Sequence, residues 1–219
     1  MRISVDAKAV VKVGPFARGG KSRTQVAASD HDFHPDATCT PVGILVPTCD
    51  EVFLYGVLSK VTSDCLADCV TQWWETVRER FPHLTTLVIN LDNGPENHSH
   101  RTQFMQRMVD FVQRARLHVR LAYYPPYHSK YNPIERCWGI LENHWNGALL
   151  DSVEAVIAYA QTMTWKGLHP TVKLVTTTYK TGVKLTKHAM TQLETQLQRL
   201  PGLEKWFVDI YPPPNAWDT

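Results

Sequence analysis

Three acids sit where their chemistry could be shared. Asp6 lies within "ISVDAK", Asp92 ends the apolar run "LVINLD" ahead of "NGPEN", and Glu135 falls in "YNPIERCW", just past a proline-bearing loop. They are 86 and 43 residues apart, so only folding brings them together. Carboxylates held side by side repel and need a cation to stay ionised. Hard oxygen ligands with few His or Cys nearby select magnesium or manganese. Two such ions can stabilise the attacking and the leaving oxygen at a phosphodiester.

Each acid also has a plainer reading. Asp6 fits a strand-end charge on an exposed face. Asp92-Asn93-Gly94-Pro95 fits a turn in which Asp and Asn bond their own backbone. Glu135 fits a capping-box acid bonding back to Asn132 and complementing the helix dipole. Glu142 is seven residues beyond Glu135, at nearly the same helical azimuth, and is a rival to it. Glu135 is preferred because it alone occupies the first turn.

The elements that must position these groups follow from periodicity. "ISVDAK", "AVVKVG", "VGILV" and "EVFLYGVL" read as strands, with "PTCD" as a hairpin turn and "SDHDFHPDATCTP" as a loop. Leu66, Val70, Trp73/Trp74, Val77 and Phe81 recur at helical spacing, with Ser63 or Asp64 as N-cap. "TTLVINLD" is apolar enough for a strand buried on both faces. A second helix is predicted over about 100–117, and "HVRLAYY" as the next strand. The third helix has Asn132 as N-cap, Pro133 at the first helical position and Ile134, Trp138, Leu141 and Trp145 as its apolar stripe. A helix over about 151–164 and a Lys/Thr-rich tail with a short helix near 187–199 complete the chain. This order predicts an α/β layout with a mixed sheet. A carboxylate at the C-terminal end of a buried parallel-type strand sits where such sheets bind ligands.

Length and composition set the bounds. The 219 residues, 43% hydrophobic and 20% charged, can bury one sizeable core, with residues 1–150 as core domain and 151–219 as a helical extension packed on it. No stretch is apolar enough to span a bilayer, and the N-terminus has no signal-peptide pattern. Five cysteines in no disulfide or zinc spacing predict free thiols and a reducing, cytoplasmic setting. Net charge is +2, yet residues 1–30 hold six Lys/Arg against two acids, 31–100 three against ten, 101–147 seven against three, and 165–205 seven against two. Basic segments separated by an acidic one suit one anion-facing surface.

"ISVDAK", "LDNGPEN" and "YYPPYHSKYNPIERCW" resemble, in order, the three acid-bearing motifs of DDE transposases with a ribonuclease H-like fold. "NPIERCWGIL" resembles the third motif of the mariner-like group. "HDFHPDATCTPVGI", the Trp73-Trp74 pair and "TTTYKTGVKLT" look most like the insertion-sequence family called ISAzo-thirteen. The resemblance runs over roughly residues 2–190. It implies a ribonuclease H-like mixed sheet with helices on both faces and a small C-terminal extension. It implies Asp6, Asp92 and Glu135 as a triad holding two Mg2+ or Mn2+ ions for DNA cleavage and strand transfer, in a polynucleotidyl transferase and endonuclease. DNA, both element ends and target, is the implied partner, with a homodimer on DNA and a bacterial, nucleoid-associated setting. The alternatives are a ribonuclease H-like nuclease that does not join ends, and a catalytically decayed DNA-binding or oligomerisation module.

Supporting roles fall to nearby polar groups. Asn93 and Asn97 flank Asp92 and are candidates to orient a water or carry an outer-sphere bond, or are turn amides. His128, Ser129 and Lys130 precede Glu135 and are candidates for phosphate contact. Tyr123, Tyr124 and Tyr127 suit base stacking or simple packing. Lys8, Arg18, Lys21 and Arg23 are candidates for backbone contact, which brings salt dependence rather than sequence choice. His31, Asp32, His34 and Asp36 have a metal-like composition with no role derivable from sequence. Nothing reads as a helix-turn-helix module, so the expectation is an isolated catalytic domain that does not select element ends by itself.

Overall fold

A computed structural model describes residues 1–16, 19, 34–35, 37–125, 128 and 131–214. The chain divides into two compact units. One comprises Met1–Val5, Thr62–Asn132 and Lys180–Thr219, the other Asp6–Val61 and Pro133–Tyr179. The chain therefore passes between them at Val5–Asp6, Val61–Thr62, Asn132–Pro133 and Tyr179–Lys180.

In the first unit, β1 (Arg2–Ala7), β5 (Thr86–Leu91) and β6 (His118–Tyr123) run parallel, β1 through its first residues. β9 (Phe207–Ile210) adds antiparallel to β6, and β8 (Leu197–Arg199) antiparallel to β9. The β1–β5 register sets Arg2, Ile3 and Ser4 opposite Val88, Ile89 and Asn90. Burial along β5 alternates, with Leu87, Ile89 and Leu91 buried and Thr86, Val88 and Asn90 half-buried, so only one face is fully covered. That corrects the expectation of burial on both faces. α1 (Ser63–Val77) packs on α2 (Thr102–Ala115), and α5 (Lys187–Glu194) also touches α2. The cap of α1 is Thr62, not Ser63 or Asp64: its hydroxyl accepts from the Cys65 amide at 3.3 Å. Arg116, in the left-handed conformation at φ 59°, closes α2.

The second unit holds an antiparallel hairpin, β3 (Ala37–Val46) and β4 (Glu51–Val57), with the turn at Pro47–Asp50. β2 (Val11–Val13) lies antiparallel on β3, and β7 (Thr171–Val175) parallel to β4. α3 (Ile134–Trp145) and α4 (Val153–Thr162) pack against β3. One core joins them, built from Leu45, Leu54, Ile134, Trp138, Leu141 and Trp145 among others. The predicted α3 stripe is buried throughout. Each such side chain contributes about 1.5–3 kcal/mol before the entropy of ordering it.

The β-structure at both ends of the chain went further than periodicity indicated. Ala37–Pro41, assigned to a loop, forms the first half of β3. In the tail, β7, β8 and β9 are strands of three to five residues, too short to display a period. α5 ends at Glu194 rather than 199, and Leu197–Arg199 turns into β8. The five cysteines carry no disulfide, as their spacing predicts. No helix among the described residues is long and apolar enough to cross a membrane.

Candidate active site

Asp92 follows the last residue of β5 directly. Its Oδ1 accepts from the Gly94 amide at 3.1 Å, closing an Asx turn, and from Asn97 Nδ2 at 2.8 Å. Two donors on one oxygen fix the carboxylate's rotation and leave Oδ2 turned toward Gly94. A Cβ built on Gly94 would lie 3.0 Å from that Oδ2 and 3.3 Å from Oδ1. Asn93, between them, takes the left-handed conformation at φ 64°. Asn97 is 5% exposed, and its Oδ1 has no hydrogen-bond partner among the described residues. The same holds for the buried Oδ1 atoms of Asn90 and Asn93 and for the hydroxyl of Tyr123. Tyr123 lies opposite Leu91 on β6, and burial pushes its phenol well up, Asp92 adding to the shift.

Asp6, in β1, is 9% exposed, so it is not the surface charge of the plainer reading. Its Oδ2 accepts from Trp138 Nε1 at 2.7 Å. Trp138 stands one turn beyond Glu135 on α3, so Asp6 is tied to the helix that carries Glu135. Gly43 of β3 makes room for the indole: a Cβ there would meet Trp138 Cζ2 at 2.8 Å and Ile134 Cδ1 at 3.0 Å.

Glu135 occupies the first turn of α3 and is half-buried. Its carboxylate bonds to no described residue, so the capping box with Asn132 does not form. Asn132 is not the cap either: the helix starts at Ile134 with Pro133 before it and no side-chain cap bond. The Asn132 side chain, fully buried, instead donates Nδ2 to the Val5 carbonyl at 3.1 Å and accepts from the Ser4 hydroxyl. It pins the approach to α3 onto β1, one residue before Asp6. Glu142 is ion-paired with Lys8, whose side chain is 10% exposed. That pair engages the ammonium offered for DNA contact and neutralises the rival to Glu135.

Of the remaining sequence candidates, His128 is exposed and stacks on Tyr131 with centroids 5.8 Å apart. Arg18, Lys21, Arg23, His31, Asp32, Asp36, Tyr127, Ser129 and Lys130 lie outside the described residues. Sequence reasoning missed Asn132, Trp138 and Gly43 as supports of the acids. The signals were present, an Asn before Pro and a Trp three residues after Glu135, but they match a cap and a core stripe equally well.

Among the described residues, no group of three or more His, Cys, Asp or Glu is close enough to hold a metal ion. The donor chemistry nevertheless suits a hard cation. Asp92 Oδ2 and the Glu135 carboxylate make no bond to described residues, and Asn93 and Asn97, close to Asp92 in the chain, keep amide oxygens with no described partner. Carboxylate and carbonyl oxygens of this kind select magnesium or manganese over zinc.

Residues 1–212 match the profile of the Rhodopirellula transposase DDE domain family. Two solved structures share the fold: the Mos1 transposase paired-end complex with left transposon end, at TM-score 0.51 and 11% identity, and the Mos1 mariner paired-end complex with Mn, at 0.51 and 12%. Each likeness covers 72% of this chain and 46% of the Mos1 chain, so this chain spans less than half the length of that protein. No curated protein matches. The ribonuclease H-like α/β class expected from the motifs thus holds.

Proposed function

The chain belongs to the Rhodopirellula transposase DDE domain family, and from that membership we propose that it cleaves DNA phosphodiester bonds and joins the resulting 3′ ends to new DNA. Asp6, Asp92 and Glu135 are the metal-binding carboxylates of this reading. The observation that carries it is the treatment of Asp92. Two donors lock one of its oxygens while the other bonds to no described residue, directly past the end of a parallel strand. Two divalent cations, Mg2+ or Mn2+, would supply Lewis acidity at the scissile phosphate and lower the pKa of the attacking hydroxyl.

The chain's own residues do the positioning. Asn97 and the Gly94 amide hold Asp92, Trp138 holds Asp6, and Asn132 sets where α3 begins and so where Glu135 points. Lys8 anchors α3 through Glu142 rather than meeting DNA. Asn93 lends an amide oxygen beside Asp92, and His128, in the loop ahead of α3, together with Lys130, is assigned to the DNA backbone. Pairing two element ends calls for two active sites, hence a homodimer on DNA, acting at the bacterial nucleoid.

The test is nicking of element-end DNA with Mg2+ or Mn2+. Asp6→Ala, Asp92→Ala and Glu135→Ala each lose at least about 10^3-fold in rate, the order expected when groups act as one unit, whereas Glu142→Ala, which removes only an anchoring ion pair, loses far less. Full activity in any of the first three removes that residue from the triad. Supplying pre-cut 3′-hydroxyl ends separates the joining enzyme, which yields strand-transfer product, from a nuclease that only hydrolyses.

A further inference from the structure

From residue 155 to residue 193 the chain contains no Asp or Glu, although five lysines, 166, 173, 180, 184 and 187, fall inside. At the chain's average acid content this run would hold about four acids. Lys166 is paired with Asp50 at 2.8 Å. Lys180, Lys184 and Lys187 are exposed and form no ion pair with a described residue. Glu194, which ends the acid-free run, is already neutralised by Arg199.

We propose that Lys180–Lys187 is a docking surface for the phosphate backbone of duplex DNA, separate from the acid-bearing motifs and indifferent to base sequence. Its geometry suits that partner. Eight residues span at most about 25 Å, a length over which each strand of B-form DNA presents about seven phosphates, so three lysines can meet separate ones. Beside them, Lys187 and Thr186 edge an open groove of about 780 Å³ that is also lined by Thr102, Leu185 and Met190. Thr102 Oγ1 accepts from the Leu185 amide at 3.1 Å and Thr186 Oγ1 from the Ala189 amide at 3.2 Å. Each hydroxyl thereby keeps its hydrogen to donate, and phosphate oxygens only accept. Val183 and Leu185 are partly buried, so the segment lacks the exposed apolar anchor that a lipid surface would take up.

The proposal rests on DNA being the substrate but not on the metal chemistry, and its test excludes metal. Binding of the 219-residue chain to a labelled 30-base-pair duplex is followed by anisotropy in EDTA, across 50–200 mM salt. The triple variant Lys180→Gln/Lys184→Gln/Lys187→Gln lowers the slope of log K against log salt by about 2.7, at about 0.9 per phosphate. The wild-type advantage accordingly shrinks about 40-fold over that fourfold salt range, equally for element-end and unrelated sequences. A control triple, Lys60→Gln/Arg78→Gln/Arg114→Gln, keeps the wild-type slope. Should the test variant lack the wild-type circular dichroism, Lys184→Gln and Lys187→Gln decide singly, each losing about 0.9. An unchanged slope, an equal loss in the control, or no duplex binding by the wild type overturns the surface. Loss of slope in a protein that never nicks DNA would leave this surface standing and overturn the catalytic reading alone.

Discussion

Asn132 separates two accounts of how Glu135 is aimed, and Asn132→Asp tells them apart. As an N-cap, Asn and Asp are equivalent, and a negative charge at a helix start adds about 0.3–1 kcal/mol of stability. That account expects a neutral or stabilised variant. The observed bonds expect the opposite. Nδ2 donates to the Val5 carbonyl at 3.1 Å inside a site where Asn132 and Ser4 are both fully buried. Asp keeps the shape and still accepts from Ser4, but it removes that donor and sets a buried carboxylate oxygen against a carbonyl. Losing the bond, leaving the carbonyl unpaired and desolvating a charge together cost about 3 kcal/mol or more. In a chain of this size that is a fall of roughly 6–12 °C in Tm. Guanidinium unfolding followed by both tryptophan fluorescence and far-UV circular dichroism measures it, and coincident transitions are required because the chain has two compact units. A cycle with Ser4→Ala should show coupling of about 0.5–3 kcal/mol. An Asn132→Asp protein within 0.5 kcal/mol of wild type would refute the clamp and return Asn132 to the role of a cap.

Three further expectations rest on single contacts. Trp138→Phe keeps most of the ring but deletes the donor to Asp6, and should lower metal-dependent nicking about 10–100-fold while DNA binding in EDTA is unchanged; loss of binding as well would point to a general folding defect. Gly43→Ala drives a methyl into the indole, so about 1–3 kcal/mol of stability and part of the near-UV circular dichroism should be lost, and a silent variant would mean that the Trp138 seat is not tight. Asp209 accepts from Arg120 Nε at 2.8 Å and Nη2 at 2.9 Å and bonds His118 Nε2 at 2.7 Å. Burial raises its pKa, but those bonds outweigh burial and the folded-state value is lowered. Its stabilisation is therefore present above the ordinary carboxylate value and is lost as pH falls through the depressed one. Asp209→Asn should cost about 1–2 kcal/mol at pH 7, discounted for the partly exposed Arg120, and the gap to wild type should close below about pH 4; a gap independent of pH in urea titrations would contradict this.

The contrast between Asp92 and Asp6 shows what a sequence can carry. Asp92 was legible because its neighbours in the chain are its neighbours in space: Gly94 and Asn97, two and five residues on, make its bonds. The α3 stripe was legible because a helix repeats its burial every turn. Asp6 is held by a donor 132 residues away and Asn132 by an acceptor 127 residues away, and no local period encodes such pairs. The pattern around Asn132 fits a cap in every respect short of its burial. Lys8 likewise carries a surface signature, a basic residue after a strand, until Glu142 meets it 134 residues later. β8 and β9 escaped notice because three or four residues display no alternation before they end.

The unpartnered polar atoms argue that the end of β5 is not built for stability. The Oδ1 atoms of Asn90, Asn93 and Asn97 and the Tyr123 hydroxyl are buried without a partner among the described residues, and they belong to residues 90–97 and to the position opposite Leu91. The indole groups of Trp73 and Trp165, also without a described partner, are single groups of large aromatic side chains elsewhere in the chain. Each unsatisfied buried group costs about 1–3 kcal/mol, so four together at the end of β5 and the facing position of β6 consume a sizeable part of a typical folding free energy of about 5–15 kcal/mol. Three of the four are amide oxygens, which only accept. Packing alone would favour Leu or Val at such positions, as at Leu87, Ile89 and Leu91 on the same strand. Amide oxygens held without a partner on residues 93 and 97, near Asp92 in the chain, fit the proposed reading, in which a cation and its waters are met there, and a stability cost of this kind is what a functional site is expected to carry.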